Sequence, residues 1–323
     1  MIIKNIKKNW YHFIGLLIFS YIIFYKIDFL KIKKIILSAN YNFIILGIIL
    51  TFIMLLIQAW RWNYLKKIQN INYSFKDSFL IYGSGIYFGT ITPGRLGDLI
   101  KILYLKESGH STGKSAVSVI IDRLADLLFL LTVGYLSMFF FAKFFISEII
   151  IITIIISLII LAIFVLKINL LKNLINKLFL LLVPEKYKKL LVLNLNDLIT
   201  DFKIYRLKNY IVLLTLTAMA WMLYYLQVFF LAKSINLGDV TFTYLAMSVT
   251  IAAIITLLPI SIYGLGTRDA TLLFLLSLIS INPEKTITFS MLILFVSLLY
   301  GLIGLICWWK KPLNHNLKTN LTI

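Results

Sequence analysis

Apolar runs of helix length alternate along the chain with short polar stretches that contain lysine. Residues 149–166 are almost continuously apolar over about the 20 residues that a helix needs to cross a bilayer, without the alternation of a membrane β-strand. This pattern predicts an all-α, polytopic integral membrane helical bundle with about eight transmembrane helices. The predicted segments are residues 11–25, 42–60, 115–141, 147–166, 209–231, 244–258, 270–281 and 287–307.

The first interruption of this pattern follows residues 79–92. That segment is apolar but contains three glycines, and it is too short to span comfortably before Pro93 stops a helix. The residues TPGRLGD at 92–98 then place charge where charge is costly, and such a break is tolerated at membrane depth only against protein or a water-filled cavity. We expect a broken or re-entrant helix near residues 79–106. An ordinary span with a surface loop is the alternative.

The second interruption, PISIYGLGTRD at residues 259–269, has the same composition: Pro, closely spaced Gly, then Arg with Asp. A broken helix is expected near residues 259–281 as well. One interruption in each half is typical of transporters built from an internal repeat, whose discontinuous helices meet at a central site. The predicted turn residues are Pro93, Gly94, Gly97, Pro259, Gly264 and Gly266.

Charged residues of the two interruptions are candidates for binding an anionic group. The N–H groups at half-helix N-termini and the guanidinium of Arg both favour an anion, and Arg offers phosphate two parallel donors. Arg95 and Arg268 are the candidate ligands, while Asp98 and Asp269 would orient them or respond to protons. The alternative is that both motifs are capping turns whose Arg side chains snorkel to the interface.

A third charged group lies near the start of the predicted helix at residues 115–141. Asp122 and Asp126 share one helical face, and Arg123 is three residues before Asp126 and can pair with it. Charges on a membrane helix face the protein interior or the headgroups. Two roles are equally compatible with this pattern: an ion pair that locks this helix to the broken one, or direct contact with a ligand.

Composition narrows the class of protein. The 323-residue chain is 61% hydrophobic and 14% charged, and a mean hydropathy of +0.94 excludes a soluble globular domain. A single cysteine, Cys307, excludes an intrachain disulfide, and three His residues far apart in sequence disfavour a metal site. We therefore expect no cofactor and no metal. The net charge of +19 comes largely from lysines between apolar segments, which indicates anchoring at anionic lipid rather than nucleic-acid binding.

The distribution of charge also predicts topology and domains. Residues 1–312 form a single membrane domain in the cell membrane, interrupted by an amphipathic cytoplasmic connector at about residues 167–208, and residues 313–323 are a polar tail. Cytoplasmic N- and C-termini require an even number of crossings on each side of that connector, which holds if residues 79–106 do not cross. The lysines of the 26–34 loop conflict with this topology. Residues 60–64 (WRWNY) are typical of an interfacial aromatic belt.

Three linked motifs resemble a known family. They are residues 92–98, residues 122–126 (DRLAD) and residues 259–270. Together they resemble the lysylphosphatidylglycerol synthase transmembrane region family, also called flippase-like. The motifs occur in the family's order, and the resemblance covers nearly the whole chain. The family usually has Glu-Arg where this chain has Asp122-Arg123, a conservative departure. The resemblance implies a lipid-translocating membrane domain. In the full synthases a soluble transferase domain follows, and we expect this chain to be a stand-alone member that does not synthesise the lipid.

The leading hypothesis is a flippase or transporter for an anionic phospholipid or a lipid-linked sugar of the polyprenyl-phosphate type. The headgroup would occupy a hydrophilic cavity between the broken helices, and no nucleotide-binding loop is present to make ATP the driver. One alternative is a membrane glycosyltransferase, although the predicted outer loops are short. Another is an accessory subunit that recruits a biosynthetic transferase through the basic connector. A homo-oligomer is compatible with the sequence.

Overall fold

The computed structural model describes residues 14–92, 97–141, 204–257, 261 and 264–313, with single positions between 146 and 161. Within these ranges the regular structure is helical and no strand occurs, which confirms the predicted all-α fold. The described helices are α1 (Ile14–Lys26), α2 (Phe29–Leu37), α3 (Tyr41–Ile68), α4 (Phe75–Ile91), α5 (Ile100–Glu107), α6 (Thr112–Phe140), α7 (Leu207–Ser234), α8 (Phe242–Thr256), α9 (Thr267–Ser277) and α10 (Pro283–Lys310).

Helix starts follow local capping signals in the sequence. Ser74, Ser111 and Thr241 precede α4, α6 and α8, and each accepts a hydrogen bond from a backbone N–H three residues ahead. Pro283 occupies the first turn of α10, where its missing N–H costs no helical bond. These caps place the helix boundaries independently of packing.

Three of the described helices, α3, α7 and α10, are 28 residues long and apolar enough to cross a membrane. At 1.5 Å per residue each extends about 42 Å, which exceeds the roughly 30 Å hydrocarbon core of a bilayer. The 29-residue α6 is equally long but carries charged residues near its middle. The protein is thus a polytopic helical membrane protein.

Contacts between helix termini define the two ends of the bundle. At one end Tyr205 Oη donates to Leu65 O at 3.0 Å, and Gln69 Nε2 donates to Lys114 O at 3.0 Å. Residues 66–67, 106–114, 206–208 and 310–311 also belong to this end and are rich in Lys, so we call it the basic end. At the far end Asn40 N donates to the carbonyl of the last residue of α7 at 2.7 Å.

The helices α4 and α5 form a hairpin that opens at the basic end. Tyr104 Oη of α5 lies 3.5 Å from Ser84 Oγ of α4, and Tyr73, just before α4, hydrogen-bonds Ser108, just after α5. The segment therefore turns back on itself, as the re-entrant interpretation of residues 79–106 predicts. Its arms have 17 and 8 residues, about 26 Å and 12 Å long.

The helices α8 and α9 form a second hairpin that opens at the far end. Tyr244 in the first turn of α8 donates its hydroxyl hydrogen to Leu275 O near the end of α9. The arms have 15 and 11 residues, so neither is long enough to span the membrane alone. The predicted segments at 244–258 and 270–281 are therefore the two arms of one hairpin. This hairpin and the α4–α5 hairpin enter the bundle from opposite ends.

The arm α4 packs closely on α10 through small residues. A Cβ at Gly304 would lie 2.5 Å from the carbonyl oxygen of Gly83 and 2.8 Å from the backbone N of Tyr87. Cys307, one turn later, is 3% exposed and faces Gly83. The first hairpin is thus seated against a full-length helix with little room for side chains.

Most of the predicted connector, residues 167–203, and residues 314–323 of the predicted tail lie outside the described residues. The single-domain organisation stays a prediction.

A charged cavity as the candidate functional site

Six charged side chains from α3, α6 and the α4–α5 hairpin meet inside the bundle. Five of the six are less than a quarter exposed at the side chain, and the group contains three cations and three anions, so its formal charge is zero. Its members are Arg61, Asp98, Lys101, Asp122, Arg123 and Asp126. We call this group the ion cluster.

Arg61 is the fully buried centre of the ion cluster. Its Nη1 and Nη2 donate to the two carboxylate oxygens of Asp126 at 2.7 and 2.8 Å, and its Nε donates to Asp122 Oδ1 at 2.8 Å. Nη1 also donates to Thr217 Oγ1 of α7 at 2.9 Å. A planar guanidinium can satisfy two carboxylates and a hydroxyl at once, whereas an ammonium cannot reproduce the bidentate pair. Arg61 therefore connects α3, α6 and α7.

Asp122 accepts from three cations and is itself fully buried. Besides Arg61, Lys101 Nζ lies 3.3 Å and Arg123 Nη2 lies 3.1 Å from its Oδ2. The lysine is also fully buried and stands over the ring of Tyr82, 4.3 Å from its centroid. Two further carboxylates, those of Asp98 and Asp126, balance the excess positive charge around Asp122.

Asp98 fixes the first hairpin to α6. Its Oδ2 lies 2.7 Å from Arg123 Nε and 3.1 Å from Lys101 Nζ. Glycines make this approach feasible, because a Cβ at Gly85 would lie 2.4 Å from Asp98 Oδ1 and one at Gly97 would lie 2.1 Å from a backbone carbonyl. The predicted lock between this helix and the broken segment is thus present in the structure.

A second, smaller group surrounds the start of α9. Arg268 Nε donates to Ser290 Oγ of α10 at 2.8 Å, and Nη2 lies 3.1 Å from Asp269 Oδ1. Asp269 also accepts the backbone N–H of Gly266 at 2.7 Å and a hydrogen bond from Ser290. Gly266 and Gly264 have φ of +83° and +74°, the left-handed conformation that glycine adopts without steric cost. This part of the turn therefore requires glycine.

Both charged groups border one cavity of about 460 Å³. The ion cluster contributes Asp98, Arg123 and Asp126, and the second group contributes Arg268. Of the guanidinium and carboxylate groups, Arg123 and Asp126 are the more accessible, with 30% and 20% of their side chains exposed. The neutral part of the wall includes Gln58, Tyr82, Trp221, Tyr224, Gln227 and Tyr300. The cavity can therefore hold a polar, charged group within an otherwise apolar bundle.

The predicted site residues divide into two sets. Asp98, Asp122, Arg123 and Asp126 are brought together in the ion cluster. Arg268, which pairs with its neighbour Asp269, borders the same cavity. Gly97, Gly264 and Gly266 occupy the two turns. Four predicted residues lie outside the described part of the chain: Pro93, Gly94, Arg95 and Pro259.

Sequence reasoning missed Arg61 and Lys101. The expectation of an interfacial belt at residues 60–64 is wrong for Arg61 and Trp62: α3 continues two turns beyond the predicted span, both side chains are fully buried, and Arg61 contacts α6 and α7. The composition contains a signal that singles out Arg61: only five of the 32 basic residues in this lysine-rich chain are Arg. Three of the five border the cavity or centre the ion cluster.

Metal ligation gains no support from the part of the chain that the structure describes. There, no group of three or more His, Cys, Asp and Glu side chains is arranged to hold a metal ion. The carboxylates that do cluster are already paired with Arg and Lys. The expectation of no cofactor stays a prediction.

Fold and site together define a class: a polytopic helical membrane protein in which two opposed helix hairpins reach a charged central cavity. The chain belongs to the family of the lysylphosphatidylglycerol synthase transmembrane region, which it matches over residues 10–304. It is 35% identical over 99 residues to the UPF0104 membrane protein PH1989 of Pyrococcus horikoshii, and 28% identical over 99 residues to the UPF0104 membrane protein MJ1595 of Methanocaldococcus jannaschii. These matches cover 29% and 30% of this chain and 30% of each relative.

Proposed function

We propose that this protein moves the headgroup of an anionic lipid, either a phospholipid or a lipid-linked sugar of the polyprenyl-phosphate type, across the membrane. The observation that carries the proposal is that Arg123 and Arg268, from the two charged groups, border the same cavity inside an apolar bundle. Arg offers phosphate a bidentate pair of donors, and charged side chains within membrane segments mark ligand or ion pathways.

The ion cluster gives an entering phosphate a way to bind without unpaired charge. Arg123 contacts three carboxylates at 2.7, 3.1 and 3.8 Å, and each of these carboxylates has a second cation beside it. A phosphate near Arg123 can therefore take over some of its donors while Arg61 and Lys101 still hold the carboxylates. The cluster would thus exchange partners rather than break.

Opposed hairpins supply the two routes to the cavity. The α4–α5 hairpin opens at the basic end and the α8–α9 hairpin at the far end, so movement of one or the other would expose the cavity to one side at a time. We infer from the positive-inside rule that the basic end, with the C-terminal lysines, faces the cytoplasm of a cell membrane, and the lysines of the 26–34 loop count against this orientation. The lipid tails would remain in the bilayer beside the apolar outer faces of the helices.

A transport assay tests the proposal directly. Purified protein is reconstituted into vesicles with fluorescent phosphatidylglycerol, and the fraction of label that external dithionite reduces is followed with time. Fluorescent phosphatidylcholine, which has no net charge, is the comparison lipid. Arg268→Gln is expected to slow phosphatidylglycerol movement about tenfold or more, because a charge-assisted pair is lost, while Arg268→Lys retains part of the rate.

Arg206→Gln is the matched control, because Arg206 is exposed at the basic end and does not border the cavity. Its rate is expected to equal that of the unmodified protein. Equal rates for Arg268→Gln and Arg206→Gln would refute the role of Arg268 in translocation.

A glycosyltransferase role has less support than transport. A catalytic carboxylate in the cavity would need to be available to substrate, whereas Asp98 and Asp126 are both held by cations at 2.7 Å. We therefore propose a transporter whose partner is the lipid itself.

A further inference from the structure

A buried lysine without a carboxylate of its own lies at the basic end of the bundle. Lys66, in the last turn of α3, is fully buried, and its Nζ donates to Ser78 Oγ of α4 at 2.8 Å. The rings of Trp62 and Tyr73 stand beside the same nitrogen, with centroids 4.0 and 4.4 Å away. Among the described residues, no carboxylate lies within ion-pair distance of Lys66. Since buried ammonium groups are normally paired, this arrangement requires an explanation.

The carboxylates around Lys66 are already paired with other cations. Asp77 acts on Lys66 electrostatically, but it forms an ion pair with Lys311, which directly follows α10. Lys101 also stands over the ring of Trp62, 5.5 Å from its centroid, and it belongs to the ion cluster, which is neutral in total. The pair of Asp77 with Lys311 is neutral as well. An ammonium at Lys66 therefore adds one positive charge that these neighbouring groups do not balance.

A lysine, unlike an arginine, can remove such a charge by releasing a proton. The neutral amine would keep its polar contact, because Ser78 Oγ accepts a hydrogen from an amine as well as from an ammonium. The hydroxyl hydrogen of Ser78 is directed to Asn63 Oδ1 at 2.7 Å or to Ser74 O at 2.9 Å. The position of Lys66 thus suits both protonation states, but burial is costly for the charged one alone.

The first hairpin covers Lys66. Ser78 belongs to the α4 arm, Asp77 lies in the first turn of this arm, and Tyr73 precedes it. Movement of the arm away from α3 would bring water to Lys66 Nζ, and water stabilises an ammonium far more than an amine. Proton uptake by Lys66 and movement of the hairpin therefore favour each other, because the proton has a higher affinity for the open state.

We propose that Lys66 is a proton-binding site that couples pH at the basic end to the position of the first hairpin. One proton passes from a hydronium ion or buffer acid at the basic end to the lone pair of the Lys66 amine when the hairpin moves away from α3, and it returns when the hairpin closes. No other bond forms or breaks. The inference rests on the proposed function only in that this movement is one of the two that would expose the cavity.

Other charged or titratable groups also face Lys66, from α3, from both arms of the first hairpin and from the end of α10. They are Lys67, Tyr73, Asp77, Lys101, His110 and Lys311. The unperturbed imidazole titrates close to neutral pH, so His110 is the rival proton site. A test of Lys66 must therefore include a variant of His110.

Distances between spin labels test this inference without lipid transport. Cys307→Ala removes the native cysteine, and Lys76→Cys on α4 and Lys208→Cys on α7 replace two exposed lysines for labelling. The start of α7 is fixed to α3, because Asn209 Nδ2 donates to Tyr64 Oη at 2.8 Å. The full chain in nanodiscs is measured by pulsed electron paramagnetic resonance between about pH 5 and pH 9. The ratio of the longer to the shorter distance should rise as pH falls, by up to about tenfold per pH unit, the limit for uptake of one proton.

Lys66→Met, which is neutral at every pH and similar in size, is expected to abolish this pH response and to retain the shorter distance. Lys67→Met is the matched control, because Lys67 is the adjacent residue of α3 but is exposed, and it should keep the full response. His110→Gln should keep the response as well. If Lys66→Met does not give a monodisperse protein, Lys66→Gln, which is neutral and can still donate to Ser78, takes its place.

Three results would overturn the inference: distances that do not change with pH, a response that survives the neutral replacement of Lys66, or a response that His110→Gln abolishes. The transport assay separates this inference from the proposed function. A pH response that depends on Lys66, in a protein that moves no lipid, supports the proton site while the proposed function fails. Lipid movement that depends on Arg268, without any pH response of the hairpin, supports the proposed function and refutes the proton site.

Discussion

Removal of Arg61 tests whether the ion cluster holds the bundle together. Among the residues that the structure describes, Arg61 is the cation that contacts both Asp122 and Asp126 through short bonds of 2.7–2.8 Å, and Arg61→Leu changes the formal charge of the six-residue cluster from zero to minus one. Asp122 is fully buried and cannot turn to solvent. The variant therefore leaves an uncompensated charge inside the bundle.

The expected loss of stability in Arg61→Leu follows from these contacts. Breaking a buried ion pair by deleting one partner destabilises proteins by about 3–5 kcal/mol. Asp122 retains Lys101 and Arg123 at 3.3 and 3.1 Å, which places the expected loss near the lower end of that range. At about 2–4 °C per kcal/mol, the midpoint of thermal unfolding should fall by on the order of 10 °C.

A charge-neutral double variant distinguishes loss of charge balance from loss of packing. Arg61→Leu with Asp126→Asn restores two cations and two anions, because Asp126 is the carboxylate that Arg61 binds bidentately. We expect the double variant to be more stable than Arg61→Leu alone, because no unbalanced charge remains in the cluster, and we expect its destabilisation to be smaller than the sum of the two single-variant values by about 0.5–3 kcal/mol. Thermal unfolding in detergent, followed by the loss of the monodisperse peak in size-exclusion chromatography, measures both variants.

Two outcomes would refute this reasoning. Arg61→Leu with an unchanged unfolding midpoint would mean that the cluster does not depend on charge balance. Additive losses in the double variant would mean that Arg61 and Asp126 act independently.

Two further predictions concern packing and surface charge. Gly304→Val should destabilise the protein by about 1–3 kcal/mol, because the new side chain would collide with the backbone of α4 at Gly83 and Tyr87. Leu302→Val is the control, because Leu302 is exposed on the outer face of the same helix and its replacement should leave stability nearly unchanged. The thermal-unfolding assay described above measures both variants. Lys31→Ala should change the free energy of unfolding by less than about 1 kcal/mol, because the Lys31 side chain is 63% exposed in its pair with Glu284. A loss of stability as large as that of Arg61→Leu would contradict the distinction between exposed and buried ion pairs.

The sequence by itself determined the class of protein, the positions of the two helix breaks and most of the charged residues that the structure brings together inside the bundle. Each of these depends on local chemistry: apolar runs of fixed length, proline and glycine that interrupt helices, and charges too costly to leave in lipid. The breaks after Ile91 and Thr256 fall where composition alone predicted them.

Only the tertiary structure decided which charges are partners. Arg61 lies beside aromatic residues near the end of a long helix, a pattern that fits an interfacial belt equally well, and its burial depends on contacts with α6 and α7, 61 to 156 residues away in sequence. The opposed openings of the hairpins depend likewise on long-range contacts such as that of Tyr104 with Ser84. Periodicity reports which residues are apolar, but it cannot report the depth at which a charge meets its partner, because that depth is set by how separate helices pack.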